Sequence, residues 1–280
     1  MAVKILVDSS SDISEKEAKE LGVEMIPMVI TFGEEDFHDG VDLLPKEFYE
    51  KLIASKDVPT TAQVTPFRFE EKFQEMTQNG DEVVAIILSS KLSGTFEGAK
   101  LVAEKFNGKV FVVDSLSATS GERLLLYYAL ELVKQGKSAS EIYAELEEKK
   151  NKICIVAMLE TLEYLKKGGR ISGAAAFIGG VLNIKPIIQV IDGKVVVVAK
   201  AHGQKKAALQ IKKIVAENEI DFSMPYACVW TGLDESIATK YIDDNKELFG
   251  DNDLPKPYII GSTIGTHIGP GVLGFIYFKK

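Results

Sequence analysis

The chain has 280 residues, enough to bury a large core and close to the length at which one core divides, so two domains are expected. Its 41 acidic against 33 basic residues give a formal net charge of −8 with no compact Lys/Arg block, which argues against a nucleic-acid surface. The apolar run at the N-terminus is too short for a signal peptide and no stretch reaches the ~20 apolar residues of a membrane span, so a soluble, cytoplasmic protein without a transmembrane segment is expected.

In chain order, the first half alternates short apolar runs with amphipathic stretches, the pattern of parallel strands joined by crossover helices. Residues 3–7 read as a strand ending in Asp8-Ser9-Ser10-Ser11-Asp12, after which Ser14 and Glu17 form a capping box for a helix to about Leu21. The apolar run 23–32 reads as a second strand, followed by a turn-rich stretch over 33–42 and a helix from about Pro45 to Ala54. The segment Pro59-Thr60-Thr61-Ala62-Gln63-Val64-Thr65-Pro66 reads as an extended loop before a helix over 67–77. A strand over 83–88 then delivers the chain into Ser89-Ser90-Lys91-Leu92-Ser93-Gly94-Thr95, ahead of a helix over 95–105. Ligands of open α/β sheets bind beyond the carboxyl ends of strands, so backbone amides near Gly94 suit an anionic group. A strand over 110–113 and helices over 118–135 and 138–151 complete this half.

After Asn151 the pattern changes, which sets an N-terminal α/β domain with a parallel sheet over 1–151 and a C-terminal mixed α/β domain over 152–280. A strand over 153–158 and a short helix over 162–167 lead to Gly168-Gly169-Arg170, a helix end with an arginine just beyond it. Residues 174–182 are small and apolar, a buried helix that belongs to the core or lines an apolar cavity. Strands over 184–191 and 194–199 flank Asp192-Gly193, a strong hairpin signal. A helix over 205–217, a strand over 226–230, a helix over 235–245 and strands over 258–260 and 272–278 finish the chain.

Between the last two strands lies Gly261-Ser262-Thr263-Ile264-Gly265-Thr266-His267-Ile268-Gly269-Pro270-Gly271, with four glycines and one imidazole in eleven residues. Glycines permit tight turns and close approach, so His267 is expected on a loop leading into the closing strand. The plainer reading is a connector whose histidine caps a backbone carbonyl.

Other candidates have plainer readings too. Acidic residues at a strand end can hold magnesium, but Asp8 and Asp12 around three serines serve capping and Asx turns as readily, and that reading is favoured. Cys154 and Cys228 lie in apolar strands, where a reduced thiol is a small core residue, so no disulfide is expected. His38 and His202 read as surface residues, and three scattered histidines without metal-ligand spacing predict no metal site. Ser93 with His267 suggests an acyl-transfer pair, yet no Gly-x-Ser-x-Gly elbow surrounds Ser93 and no acid is seen to orient the imidazole. Neither a dinucleotide fingerprint nor a phosphate-binding Gly-x-x-x-x-Gly-Lys motif is present.

Val7-Asp8-Ser9-Ser10, Thr61-Ala62-Gln63 between prolines, Ser90-Lys91-Leu92-Ser93-Gly94-Thr95, Val113-Asp114-Ser115, Lys167-Gly168-Gly169-Arg170-Ile171, Leu182-Asn183-Ile184-Lys185-Pro186 and Gly265-Thr266-His267-Ile268-Gly269-Pro270-Gly271 stand in this order along the chain. Together they resemble the DegV family of bacterial fatty-acid-binding proteins over essentially the whole length. The resemblance implies a two-domain protein that encloses one long-chain fatty acid, its carboxylate near the domain interface and its tail in an apolar tunnel. It implies carboxylate contacts from Thr61, Ser93 and His267, with Gly94, Thr266 and Arg170 as neighbours, and no catalytic residue, metal or cofactor. It implies a carrier that presents the acyl carboxyl to a separate ATP-dependent fatty acid kinase, then holds the acyl phosphate for phospholipid synthesis, with transient membrane contact. Two departures bear on this: the family's Thr-Ser-Gln-Pro-Ser-Pro loop is Thr61-Ala62-Gln63-Val64-Thr65-Pro66 here, and His202-Gly203 stands where relatives carry arginine and threonine. The second puts the kinase partnership in question.

Burying about fourteen methylenes contributes roughly 11 kcal/mol before ordering costs, against roughly 1.5–3 kcal/mol for each charge-assisted hydrogen bond. Tail burial therefore sets affinity and the polar groups set orientation, with a protonated His267 expected to neutralise the carboxylate. The alternatives are a serine acyl hydrolase or transferase using Ser93 and His267, and a regulatory interaction module.

Overall fold

The computed structural model describes residues 2–171 and 183–280, so the helix predicted over 174–182 lies outside the described residues. In the first half the elements are β1 (Val3–Asp8), α1 (Glu15–Leu21), β2 (Glu24–Ile26), β3 (Val29–Phe32), β4 (Glu35–His38), α2 (Pro45–Ala54) and β5 (Thr60–Ala62). They continue with α3 (Pro66–Thr77), β6 (Glu82–Ile87), α4 (Thr95–Ala103), β7 (Val110–Asp114), α5 (Ser120–Lys134) and α6 (Ala139–Lys149). Four strands make a parallel sheet in the order β2-β1-β6-β7. β1 and β6 are nearly continuous apolar runs because helices cover both faces of such a sheet.

Three departures from the sequence reading have local causes. The run over 23–32 is two strands: Pro27, which has no N–H to give a ladder, separates β2 from β3. β3 then leaves the parallel sheet for a small antiparallel one, β4-β3-β5, whose outer strands come from stretches read as turns and as an extended loop. The capping box at Ser14 is half formed. Its hydroxyl accepts from the Glu17 N–H at 3.2 Å, but the Glu17 carboxylate pairs with Arg123 instead of returning to Ser14.

The second half comprises β8 (Ile153–Met158), α7 (Glu163–Lys167), β9 (Ile184–Ile191), β10 (Lys194–His202), α8 (Gln204–Glu217), β11 (Ala227–Trp230), α9 (Ser236–Asp244), β12 (Lys256–Ile259), α10 (Ser262–Ile268) and β13 (Leu273–Phe278). Its six-stranded sheet runs β10-β9-β8-β13-β11-β12, parallel only between β11 and β12. β9 and β10 meet at Asp192-Gly193 in the expected hairpin, and the Gly193 carbonyl accepts from Ser89 Oγ at 2.8 Å, tying the hairpin tip to the end of β6. The segment read as a histidine-bearing loop contains a helix, α10, with His267 in its last turn.

Alternation along the strands sends Val156, Cys228, Phe275 and Tyr277 into one core with Ile211 and Val215 of α8 and Ile242 of α9. The opposite face, with Ile155, Ala157, Val229 and Ile276, shares a core with β1, β6 and α5. α5 carries buried Leu124, Leu125 and Leu126 between the two sheets, so the halves meet through packed core.

Candidate functional site

A cavity of about 380 Å³ opens where the carboxyl end of β6 and strand β5 face the second sheet and α10. Ile155, Ala157, Ile188, Val195 and Val229 give it an apolar wall, and Thr61, Ser93, Gly94, Arg170 and His267 line the same cavity. Hydrogen bonds and close contacts link these polar residues into one patch. His267 Nε2 is 2.9 Å from Thr61 Oγ1, and a Cβ added to Gly168 would collide with the other ring nitrogen. Arg170 donates from Nη1 to the Gly168 carbonyl at 2.6 Å and from Nε to the Leu92 carbonyl at 3.2 Å, beside Ser93.

The glycines of the two motifs are thus spacers. Gly168 lets the imidazole lie against the end of α7. Gly265, two residues before His267, is a spacer on another side of the helix: a Cβ there would sit 2.6 Å from Tyr49 Oη and 2.7 Å from the Phe48 ring, so α10 can lie directly on α2.

Among the described residues the buried Nδ1 of His267 has no hydrogen-bond partner. An orphaned acceptor is tolerated better than an orphaned N–H, so the neutral ring carries its proton on Nε2, donates it to Thr61 Oγ1, and leaves the Thr61 hydroxyl proton free for the cavity. Burial, and after it the charge of Arg170, hold the imidazole down at a pKa of about 4. This corrects the expectation of a protonated His267: the ring is neutral at pH 7, and among the described residues the cation lining the cavity is Arg170.

Ser93 Oγ pairs with Thr95 Oγ1 at 2.9 Å and accepts the Thr95 N–H at 3.2 Å, capping the start of α4. It makes no hydrogen bond to His267, and no carboxylate lines the cavity among the described residues. Thr266, adjacent in sequence to His267, projects elsewhere on the helix: its hydroxyl donates to the Ser262 carbonyl at 2.9 Å and is buried outside the cavity.

Behind the cavity lies a buried polar network that the sequence reading found only at its first strand end. Asp8 accepts from the backbone of Ser10 at 2.8 Å and of Leu88 at 2.9 Å, the capping role favoured above. Ser10 Oγ lies 2.5 Å from Asp8 Oδ1 and 2.8 Å from Glu122 Oε1, yet a hydroxyl has one proton. One carboxyl must therefore be protonated. Burial, and then repulsion from Asp8, push Glu122 well above the usual carboxylate range; burial raises Asp8 as well, but Asp8 keeps two backbone N–H donors while Glu122 Oε2 has no partner among the described residues, so the proton is assigned to Glu122, which donates it to Ser10. Arg123 reaches Glu17 and the Asp12 carbonyl and lies 4.3 Å over the Tyr258 ring. The signal available in the sequence was Glu122-Arg123 standing directly before the apolar run Leu124-Leu125-Leu126 of α5. Among the described residues, no group of three or more His, Cys, Asp or Glu is placed to hold a metal ion, and no helix is long and apolar enough to cross a membrane.

Fold and site together define a two-domain α/β protein, a parallel-sheet half and a mixed-sheet half enclosing an apolar pocket with hydrogen-bond donors gathered in one patch. A family model described as "Uncharacterised protein, DegV family" matches residues 2–280, and the chain belongs to the DegV family. A DegV domain-containing protein of Clostridium perfringens is 36% identical over 98% of this chain and 96% of its own. Among solved structures, a DegV family protein from Thermus thermophilus described as binding fatty acid superposes with a TM-score of 0.90 at 30% identity, covering 100% of both chains. DegV from Bacillus subtilis, described as a fatty acid binding protein, gives 0.86 at 30% identity and the same coverage.

Proposed function

We propose that this protein binds one long-chain fatty acid, its tail against the apolar wall and its carboxylate at Thr61, Ser93 and His267, within the field of Arg170. The observation that carries this reading is that one cavity combines an apolar wall with a patch of donors and no carboxylate among the described residues. The relatives described as fatty-acid-binding support it. The Thr61 hydroxyl, freed by the Nε2–H donor behind it, gives the carboxylate one hydrogen bond, and Arg170 supplies the balancing charge that a half-buried anion needs. None of these roles requires a nucleophile. The protein then acts as a non-catalytic carrier that presents the carboxyl to a separate ATP-dependent kinase for acyl-phosphate formation and phospholipid synthesis, with the division into domains at residues 151 and 152.

Native mass spectrometry of gently purified protein tests the binding step. One fatty acid per chain is the expected result, and protein that is empty and refuses added palmitate sinks the reading. Acyl phosphate formed only when loaded protein, kinase and ATP are combined would support the carrier role, and its formation by the loaded protein alone would contradict it.

A further inference from the structure

The helix that carries His267 does not hold itself in place. α10 spans only seven residues, too few to be stable without outside support, and its N-cap residue, Gly261, has no side chain to offer. The N–H groups at its start are taken up by two carboxylates from the other half of the chain. Asp12 Oδ1 accepts from Gly261 at 2.8 Å, while Asp39 Oδ1 and Oδ2 accept from Ser262 and Thr263, each at 3.1 Å. Both acids are built into rigid surroundings: Asp39 is 2% exposed, and Asp12 Oδ2 accepts from Thr119 Oγ1 and, at 3.1 Å, from Ser120 Oγ. Tyr49 of α2 fixes the preceding residue by donating to the Ile260 carbonyl at 3.0 Å. At the other end of the helix, Thr61, again from the first half, meets His267.

We propose that Asp39, seconded by Asp12, is a positioning residue for His267: by capping α10 across the domain boundary it sets the imidazole against Thr61, and so sets the preference of the pocket for a carboxylate head group. A two-oxygen cap that takes consecutive N–H groups fixes the rotation of the helix about its axis as well as its position. Rotation matters here because a seven-residue helix carries its error directly to the ring one turn later. Paired carboxylates also favour the positive end of the helix dipole. The ligand part of this inference rests on the fatty-acid reading above; the placement of the imidazole does not.

The test uses the full chain with Asp39→Asn, which keeps the shape of the side chain but turns an amide NH₂ toward a backbone N–H. The first readout needs no ligand. The His267 ring followed by NMR should stay neutral in the parent protein from about pH 8 to about pH 5.5, and should titrate near its ordinary value in the variant once it leaves its buried seat. The second is the ratio of affinities for palmitate and hexadecanol, which share a tail and differ in the head. The variant should lose about tenfold for the acid, the effect of a lost cap, with the alcohol unchanged.

A ring that titrates as in the parent protein overturns the proposal, whether affinity is unchanged or falls equally for both ligands. If the parent binds neither ligand while the ring moves in the variant, the positioning role stands and the fatty-acid reading falls. Should Asp39→Asn fail to fold, Asp12→Ala removes one of the three bonds to the helix and must shift the ring in the same direction; no shift there also overturns the proposal.

Discussion

Two polar regions lie within a few residues of each other, and they are built on opposite terms. The network of Asp8, Asp12, Glu122 and Arg123 is buried and largely answered by protein: hydroxyls, backbone N–H groups and a guanidinium meet most of its oxygens, and among the described residues Glu122 Oε2 and Arg123 Nε are left without a partner. The patch in the cavity is left with capacity to spare, since the Thr61 hydroxyl has a proton free and Arg170, among the described residues, meets carbonyls and no carboxylate. A network that is mostly answered from within, and lies away from the apolar wall, fixes the structure; an unsatisfied patch beside that wall is what a ligand with one charged end can complete. Proximity to the cavity therefore does not by itself make a residue a ligand contact, as Thr266 shows.

The largest effect expected from this contrast lies in the interior. Arg123→Ala should lower the free energy of unfolding by about 3–5 kcal/mol, the cost of breaking a buried ion pair by removing one partner, as read by urea denaturation. The side chain of Arg123 is 3% exposed while that of Glu17 is 32% exposed, so the stranded carboxylate can reach water and the loss belongs at the low end of that range. A change below about 1 kcal/mol, typical of exposed pairs, would mean that the network is not a structural element at all. Next in size is Glu122. If it is a neutral acid donating to Ser10, Glu122→Gln keeps a donor in the same place and should cost less than about 1 kcal/mol at pH 7, whereas Glu122→Ala should cost about 1–3 kcal/mol. Equal losses from both substitutions would show that the proton is not on Glu122.

Most of the fold was legible in the sequence because its strands are apolar runs between turn signals. β8, for instance, is Ile153–Met158 as read, and the Asp192-Gly193 turn placed the hairpin. What escaped depended on partners far away in the chain. Nothing near Val29 says that it will pair with Ala62, so β3 and β5 were not seen as a sheet. The same holds for α10, whose glycines argue locally for a loop; it is helical because Asp12 and Asp39, more than 220 residues away, cap it. Thr61, Ser93 and His267 could be picked out by residue type and motif, but the neutrality of the imidazole follows from burial and from Arg170, neither of which local sequence reveals.

The smallest effect is also the one that separates the two regions most cleanly, because their titrations have opposite signs. Burial raises Asp12 from 3.8 to about 6, so the folded state holds its proton longer than the unfolded chain and stability is lost as pH rises through that interval. His267 is lowered from 6.5 to about 4, so the unfolded chain takes up its proton first and stability is lost as pH falls from 6.5 toward 4, with no contribution above. Replacing the ring by Gln removes the second dependence and leaves the first. The stability of His267→Gln relative to the parent protein should then be constant above about pH 7 and rise in favour of the variant as the pH is lowered toward 4, measured by denaturant unfolding across that range. A difference independent of pH would place the imidazole in water and remove the buried neutral ring. Because the His267 side chain is not wholly buried and nearby solvent screens such effects, the shape of the curve is diagnostic where its height is not. A bound fatty acid should flatten the same curve, since a carboxylate beside the ring favours the protonated form that burial and Arg170 oppose.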